Sequence, residues 1–331
     1  MGGGGQRSGG VSDAVVLITG GCGFLGVSTA ARLLAQAPDR RIVLSDIVRH
    51  PRMERLSGDV TFVAADLSDP EASRQLVTRD VGTVFHYASL VSGGAERDFV
   101  AGFNANVRAT INLLEACRER GACPRFVFTS SISTFGGRRL PAVVDDWTYQ
   151  HPQSSYGVAK VVGEQLINDY SRKGYVDGRV VRLPAIVVRD EANTAVSGYA
   201  SALVREPLRG RDYVCPVPPE ARMPILNVRN CVGVLIGMAE LPPGALGDYR
   251  AINGPSIAPS AREIADAVMR RGREGMGKIS FAPDPSIADI IATWPKEMRF
   301  ERAEALGLPA PIPIDGIIDQ YLAEQGTPGK C

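Results

Sequence analysis

Through the first half of this chain, short runs of β-branched and aliphatic residues alternate with longer stretches whose apolar residues recur at helical spacing. "AVVLITG" (14–20), "RIVLSD" (41–46), "VTFVAAD" (60–66), "VGTVFHYAS" (81–89), "RFVFTSS" (125–131) and "GRVVRLPAIV" (178–187) read as strands. "LGVSTAARLLAQA" (25–37) carries Leu33 and Leu34 on one apolar face, and "NVRATINLLEACRERG" (106–121) is a helix stopped by Gly121 and followed by Pro124. A third helix begins within "QSSYGVAKVVGEQL" (153–166). Strands without a polar face, alternating with helices, predict an α/β fold: a doubly wound parallel sheet covered on both faces.

The rhythm breaks after about Val188. Prolines cluster in "CPVPPEARMP" (215–224), and "NCVGVLIGMAE" (230–240) reads as one more helix returning to the sheet. Further on come a helix in "AREIADAVM" (261–269), a proline-rich connector and an amphipathic helix in "DGIIDQYLAEQ" (315–325). A chain of 331 residues makes one large domain or two closely joined ones. The expected division is a disordered leader over 1–12, a dinucleotide-binding unit of 13–188 plus about 224–254, and a small C-terminal substrate-binding cap of about 189–223 plus 255–331.

Composition narrows the partners. Hydrophobic residues are 44% and charged residues 22%, a globular mixture, and the formal net charge is +1 with no basic run, which argues against nucleic acid. No apolar stretch approaches a membrane span. "MGGGGQRSGG" has no apolar core for a secretory signal, and Gln6 stands where a myristoylation motif needs Ser or Thr. The six cysteines show no paired spacing, so neither metal nor disulfide frame is expected, and a reducing cytoplasm fits best.

"ITGGCGFLG" (18–26) sets Gly20, Gly23 and Gly26 between the first strand and its helix. Such a turn lets backbone approach a pyrophosphate, and the helix N-terminus offers N–H groups and positive potential. Asp46 ends the second strand, where a carboxylate can accept both ribose hydroxyls of an adenosine and would repel a 2′-phosphate. NAD is the expected cofactor; Arg49 and Arg52 follow closely and leave NADP open. Asp66 and Leu67, past the third strand, are candidates to flank the adenine.

Ser131 ends the fifth strand, at the edge of a parallel sheet where ligands bind. Tyr156 and Lys160, one turn apart, share a face of the next helix. An ammonium beside a phenol favours the phenolate, which makes Tyr156 a proton acceptor, with Ser131 holding the substrate oxygen and Lys160 anchoring a ribose. Ser130 is a rival for Ser131. Asn106 either bonds backbone near the site or lies on a helix surface, and His86 reads as a packing or backbone-bonding residue.

Together "TGGCGFLG", "HYAS", "NVRATINLLEA", "FTSSISTFGG" and "YGVAK" resemble the extended short-chain dehydrogenase/reductase family. The resemblance implies a doubly wound sheet with a small C-terminal substrate domain. It also implies a cofactor role for Gly20, Gly23, Gly26 and Asp46, and a catalytic triad of Ser131, Tyr156 and Lys160. Further expected cofactor contacts are Phe24 and Leu25 in the glycine loop, Ala88, Asn106 and Pro184. "SLVSGGAERDF", "REPLRGRDYVCPV" and "FAPDPSIADIIATWP" extend the likeness to family members that oxidise the 2-hydroxyl of a four-carbon sugar acid. Tyr87 departs from the aliphatic residue expected after His86.

A carboxylate substrate wants a cation, for which Arg222 is the candidate, while Arg182 is assigned to strand packing. Ser92 and Gly93 are candidates to line the pocket. The helix of Tyr156 resembles one that pairs across a homodimer. Three functions follow in order: an NAD-dependent dehydrogenase of a small hydroxy acid or a reductase of another carbonyl compound, a nucleotide-sugar epimerase, and a sensor that holds NAD without chemistry.

Overall fold

The computed structural model describes residues 14–188, 197–272 and 274–326. The expected leader over 1–12 lies outside the described residues. Strand and helix alternate as β1 (Val15–Thr19), α1 (Phe24–Gln36), β2 (Ile42–Asp46), β3 (Val60–Ala64), α2 (Pro70–Leu76) and β4 (Val81–His86). Three helices follow, α3 (Ser92–Arg97), α4 (Phe99–Phe103) and α5 (Ala109–Arg120), the last two joined by a wide π-type turn over Asn104–Arg108. Then come β5 (Arg125–Ser131), β6 (Val143–Val144), α6 (Ser155–Arg172), β7 (Asp177–Leu183) and β8 (Ala185–Val187). The remainder comprises α7 (Gly198–Leu208), β9 (Tyr213–Cys215), β10 (Ile225–Asn227), α8 (Val228–Glu240), β11 (Ala251–Asn253), α9 (Ala261–Met269), β12 (Ile279–Phe281), α10 (Pro285–Ala292), β13 (Glu297–Met298), α11 (Glu301–Ala305) and α12 (Ile314–Gly326).

Among the described residues, seven parallel strands make one sheet in the order β3-β2-β1-β4-β5-β7-β11. Side chains alternate across it: Val16 and Ile18 of β1 enter a core shared with α1 and α8, while Val15 and Leu17 enter one shared with α2, α5 and α6. The chain reverses direction between β1 and β4, which opens a crevice at the carboxyl ends of those two strands.

The expected sixth strand is divided. Pro184 has no N–H to donate and restricts Leu183 before it, so β7 stops there and β8 pairs with β10 in a separate two-stranded sheet. The seventh strand, β11, has three residues and no periodicity to announce it, yet all three are buried beside β7. A second core gathers Tyr199, Leu203 and Val204 of α7, Cys215 of β9, Ile264 and Val268 of α9, and Ile317, Ile318 and Tyr321 of α12. Ser260 and Glu263 form a reciprocal cap that starts α9.

Candidate active site

The glycines at the crevice serve three different needs. Gly20 has φ +63°, and a Cβ there would lie 2.7 Å from Ala88 N, so the end of β1 touches the chain leaving β4. A Cβ on Gly26 would lie 2.6 Å from Gly21 O, so its absence lets α1 pack down on its own loop. At Gly23 a Cβ would meet Gly20 O at 3.1 Å and, its chain neighbours aside, no other atom of the described residues within 4 Å. Gly23 is also the N-cap of α1, and among the described residues no side chain caps that helix. The space above Gly23 and the uncapped helix start fit a phosphate approaching the backbone.

Asp46 is pinned beside this loop: Cys22 N donates to its Oδ2 at 3.1 Å and Ile47 N to its Oδ1 at 2.9 Å. Phe24 and Leu25 begin α1, half-buried. Beyond β3, Asp66 is exposed and accepts from Ser68 N at 2.9 Å, while Leu67 is buried and its carbonyl accepts from Asn112 Nδ2 at 2.9 Å. Ala88 N donates to Thr19 Oγ1 at 3.4 Å, and Pro184 is buried at the end of β7.

His86 is structural. The Thr110 hydroxyl donates to Asn106 O at 2.9 Å, so its oxygen can only accept from His86 Nε2, 3.0 Å away. His86 Nδ1 then accepts from the Thr19 hydroxyl at 2.7 Å. Burial, with Lys160 nearby, pushes this imidazole down to about 3, so it stays neutral. Tyr87 turns under α1, where its hydroxyl meets Thr29 Oγ1 at 3.2 Å. Asn106 is 3% exposed on the π-type turn; it accepts from Ser89 Oγ and Leu90 N and donates to Leu90 O. It therefore clamps the loop that leads to Ser92, the half-buried first residue of α3.

The start of α6 is fixed from three sides. Ser154 Oγ accepts from Gly157 N at 3.1 Å, and Glu96 of α3 accepts from Ser155 N at 2.6 Å. A Cβ on Gly157 would fall 2.1 Å from Ser133 O, so only glycine lets the first turn of α6 lie against the turn that follows Ser131. Half-buried Tyr156 immediately precedes this point of contact with the turn after β5. Ser131 Oγ accepts from Ser133 N at 3.1 Å, whereas Ser130 Oγ donates to buried Glu164 Oε1 at 2.5 Å. Lys160 is 3% exposed, with Nζ 4.7 Å from the Phe128 ring centroid and 5.3 Å from that of Tyr156. Burial lowers its ammonium to about 7, against the opposing pull of Glu164.

Arg222 lies at the antiparallel bridge to Ser260, where Nη1 donates to Ala258 O at 2.8 Å and Nη2 to Glu263 Oε1 at 3.0 Å. Its guanidinium is engaged within the second core's surface. Arg182 is fully buried and paired with Glu164, a more specific role than strand packing. The sequence reading passed over Thr19, Thr110, Glu96 and Glu164. For Glu164 the signal was present: it follows Lys160 by four residues, on the same helix face.

The sequence model of the NAD dependent epimerase/dehydratase family matches residues 16–247. The chain is 42% identical over 322 residues to D-erythronate dehydrogenase of Cupriavidus necator, covering 94% of this chain and 98% of that one. It is 38% identical over 311 residues to D-erythronate dehydrogenase of Haemophilus influenzae, covering 93% and 98%. Among solved structures, one described as the nucleoside-diphosphate-sugar epimerase from Agrobacterium tumefaciens superposes with a TM-score of 0.89 at 32% identity, covering 98% of both chains.

Proposed function

From a chain that belongs to the NAD-dependent epimerase/dehydratase family, we propose an oxidoreductase that converts the 2-hydroxyl of D-erythronate, or of a close sugar acid, to a ketone. Family membership together with the two dehydrogenase relatives makes this an NAD-dependent dehydrogenase. The observation that carries the reading is the Lys160 ammonium, buried under the Tyr156 ring on a helix whose first turn is pressed against the turn that follows β5.

NAD, when bound, supplies the hydride acceptor. Gly20, Gly23 and Gly26, with the first turn of α1, would hold the pyrophosphate, and Asp46 the adenosine ribose; a carboxylate there favours NAD over NADP. Tyr156 takes the proton of the substrate hydroxyl, Lys160 stabilises the phenolate electrostatically, and Ser131 holds the same substrate oxygen. The second core is proposed as the substrate-binding cap, and a reducing cytoplasm is proposed as the location, on the unpaired spacing of the cysteines in the sequence. Among the described residues no helix is long and apolar enough to cross a membrane.

A homodimer is proposed through α4 and α6, which pack on each other. They leave Phe99, Val100, Phe103 and Val158 exposed at 65%, 66%, 42% and 49%. A second reading, a nucleotide-diphosphate-sugar epimerase, is favoured by the description of the Agrobacterium structure. One screen separates the two: NAD and NADP offered with D-erythronate, other aldonic acids, uronic acids and nucleotide sugars. NAD reduction by an aldonic acid, abolished in Tyr156→Phe with cofactor affinity kept, is the expected result. Activity confined to sugar nucleotides would reverse the order, and unchanged turnover in Tyr156→Phe would remove the phenol from its role.

A further inference from the structure

Between the sheet and α6 lies a buried polar cluster that the proton-transfer scheme does not use. Glu164 stands one turn beyond Lys160 and is 2% exposed. Its Oε1 accepts from Ser130 Oγ at 2.5 Å, and its Oε2 from Gln150 Nε2 at 2.9 Å. Arg182 donates to the same carboxylate through Nε at 3.1 Å and Nη2 at 2.8 Å, and also reaches Asp146 O and the Tyr249 hydroxyl. One carboxylate thus ties together β5, α6, β7 and the segment leading into α6.

Apolar residues of similar volume would hold these elements at least as well, because an interior ion pair loses in desolvation much of what it gains by attraction. The position of the cluster points to a second role. Ser130 immediately precedes Ser131, and neighbouring side chains of an extended strand point to opposite sides. Anchoring Ser130 to α6 therefore sets the direction in which Ser131 leaves the strand. The titratable groups around Lys160 are Tyr156 and Glu164 on its own helix, neutral His86 on β4 and, beyond Glu164, Arg182 on β7. Asn106 and Thr110, from the π-type turn and α5, carry no charge. Glu164 is the anion of this set.

We propose that Glu164 is a positioning residue of the candidate site: through Ser130 it orients the end of β5 that presents Ser131, and its charge holds the Lys160 ammonium beside Tyr156. The inference rests on the reading of Tyr156 as proton acceptor.

The test uses the full chain, with NAD and D-erythronate as turnover probes. A second readout needs no substrate: the tyrosinate absorbance of the NAD-saturated protein, taken as the difference from Tyr156→Phe. Ser130→Ala leaves the ion pair intact and is expected to lower kcat about tenfold, with KM for NAD unchanged. Glu164→Gln removes the anion that helps keep Lys160 protonated, so the ammonium gives up its proton at lower pH and no longer favours the phenolate. The Tyr156 titration and the kcat/KM profile then move to higher pH, whereas loosened packing alone would lower activity and move neither. Glu164→Asp keeps the charge and should leave the titration where it was while losing turnover. Should Glu164→Gln not fold, pairing it with Arg182→Met removes both charges together, with a shift in the same direction expected. An unmoved tyrosinate titration without the Glu164 charge, or unchanged kcat in Ser130→Ala, overturns the proposal. Retained NAD reduction in Tyr156→Phe overturns instead the functional reading beneath it, so the two failures are distinct.

Discussion

A methyl group added at Gly23 meets one protein oxygen, at 3.1 Å, whereas at Gly26 it would be driven within 2.6 Å of Gly21 O. Gly23→Ala is therefore expected to weaken NAD binding by tenfold or more with little change in Tm, and Gly26→Ala to lower both, by about 1–3 kcal/mol in stability. Calorimetric titration alongside thermal melts would check the split; equal loss of stability in both would show that the Gly23 space is not a ligand's. Lys160 carries the opposite tension. Burial holds its ammonium at about 7 instead of 10.5, so at and below about pH 7 the fold bears the full cost of a buried charge. As pH rises from about 7 to about 10.5 the unfolded chain binds the extra proton, and stability climbs. Lys160→Met should raise stability near neutral pH by about 1–3 kcal/mol, flatten that rise and abolish turnover. A melt series across that range would show it, and a steeper rise in the variant would contradict it. Tyr156, Lys160 and the glycines were legible in the sequence because their spacing is local. The pairing of Arg222 with Glu263 was not legible, because the two lie far apart along the chain and nothing local announces a salt bridge of that kind.

At the scale of elements, two arginine–glutamate pairs separate what is buried from what is wet. Arg182→Leu leaves Glu164 an uncompensated interior anion and is expected to cost about 3–5 kcal/mol. Arg222→Ala breaks a pair whose members are 45% and 52% exposed, and should cost about 0–1 kcal/mol. Denaturant unfolding of both variants checks the ratio, and comparable losses would mean the interior pair is better hydrated than its burial indicates. The strands and long helices of the first half announced themselves through apolar runs and helical periodicity. The break at Pro184 was available too, since proline cannot continue a ladder, but an unbroken apolar run through Val187 hid it. β11 was out of reach: three residues carry no period, and it is a strand only because β7 offers it an edge. The π-type turn at Asn104–Arg108 was equally silent, because it answers to the loop that Asn106 holds rather than to its own composition.

For the molecule as a whole, the exposed apolar side chains of α4 and α6 make assembly testable by charge. Phe99→Asp is expected to convert a dimer to a monomer in sedimentation equilibrium; a wild-type chain that sediments as a monomer would remove the premise. The path of the chain has a different consequence. It leaves the seven-stranded sheet into the second core at α7, returns by α8 to β11, departs again at α9, comes back as β13 alongside β6, and ends in α12 within the second core. No contiguous stretch of sequence can be excised as the second core. Exchanging that core for a relative's would mean transplanting at least two separate inserts at once. A single crossover between its first segment at α7 and its last at α12 would divide the second core between two parents.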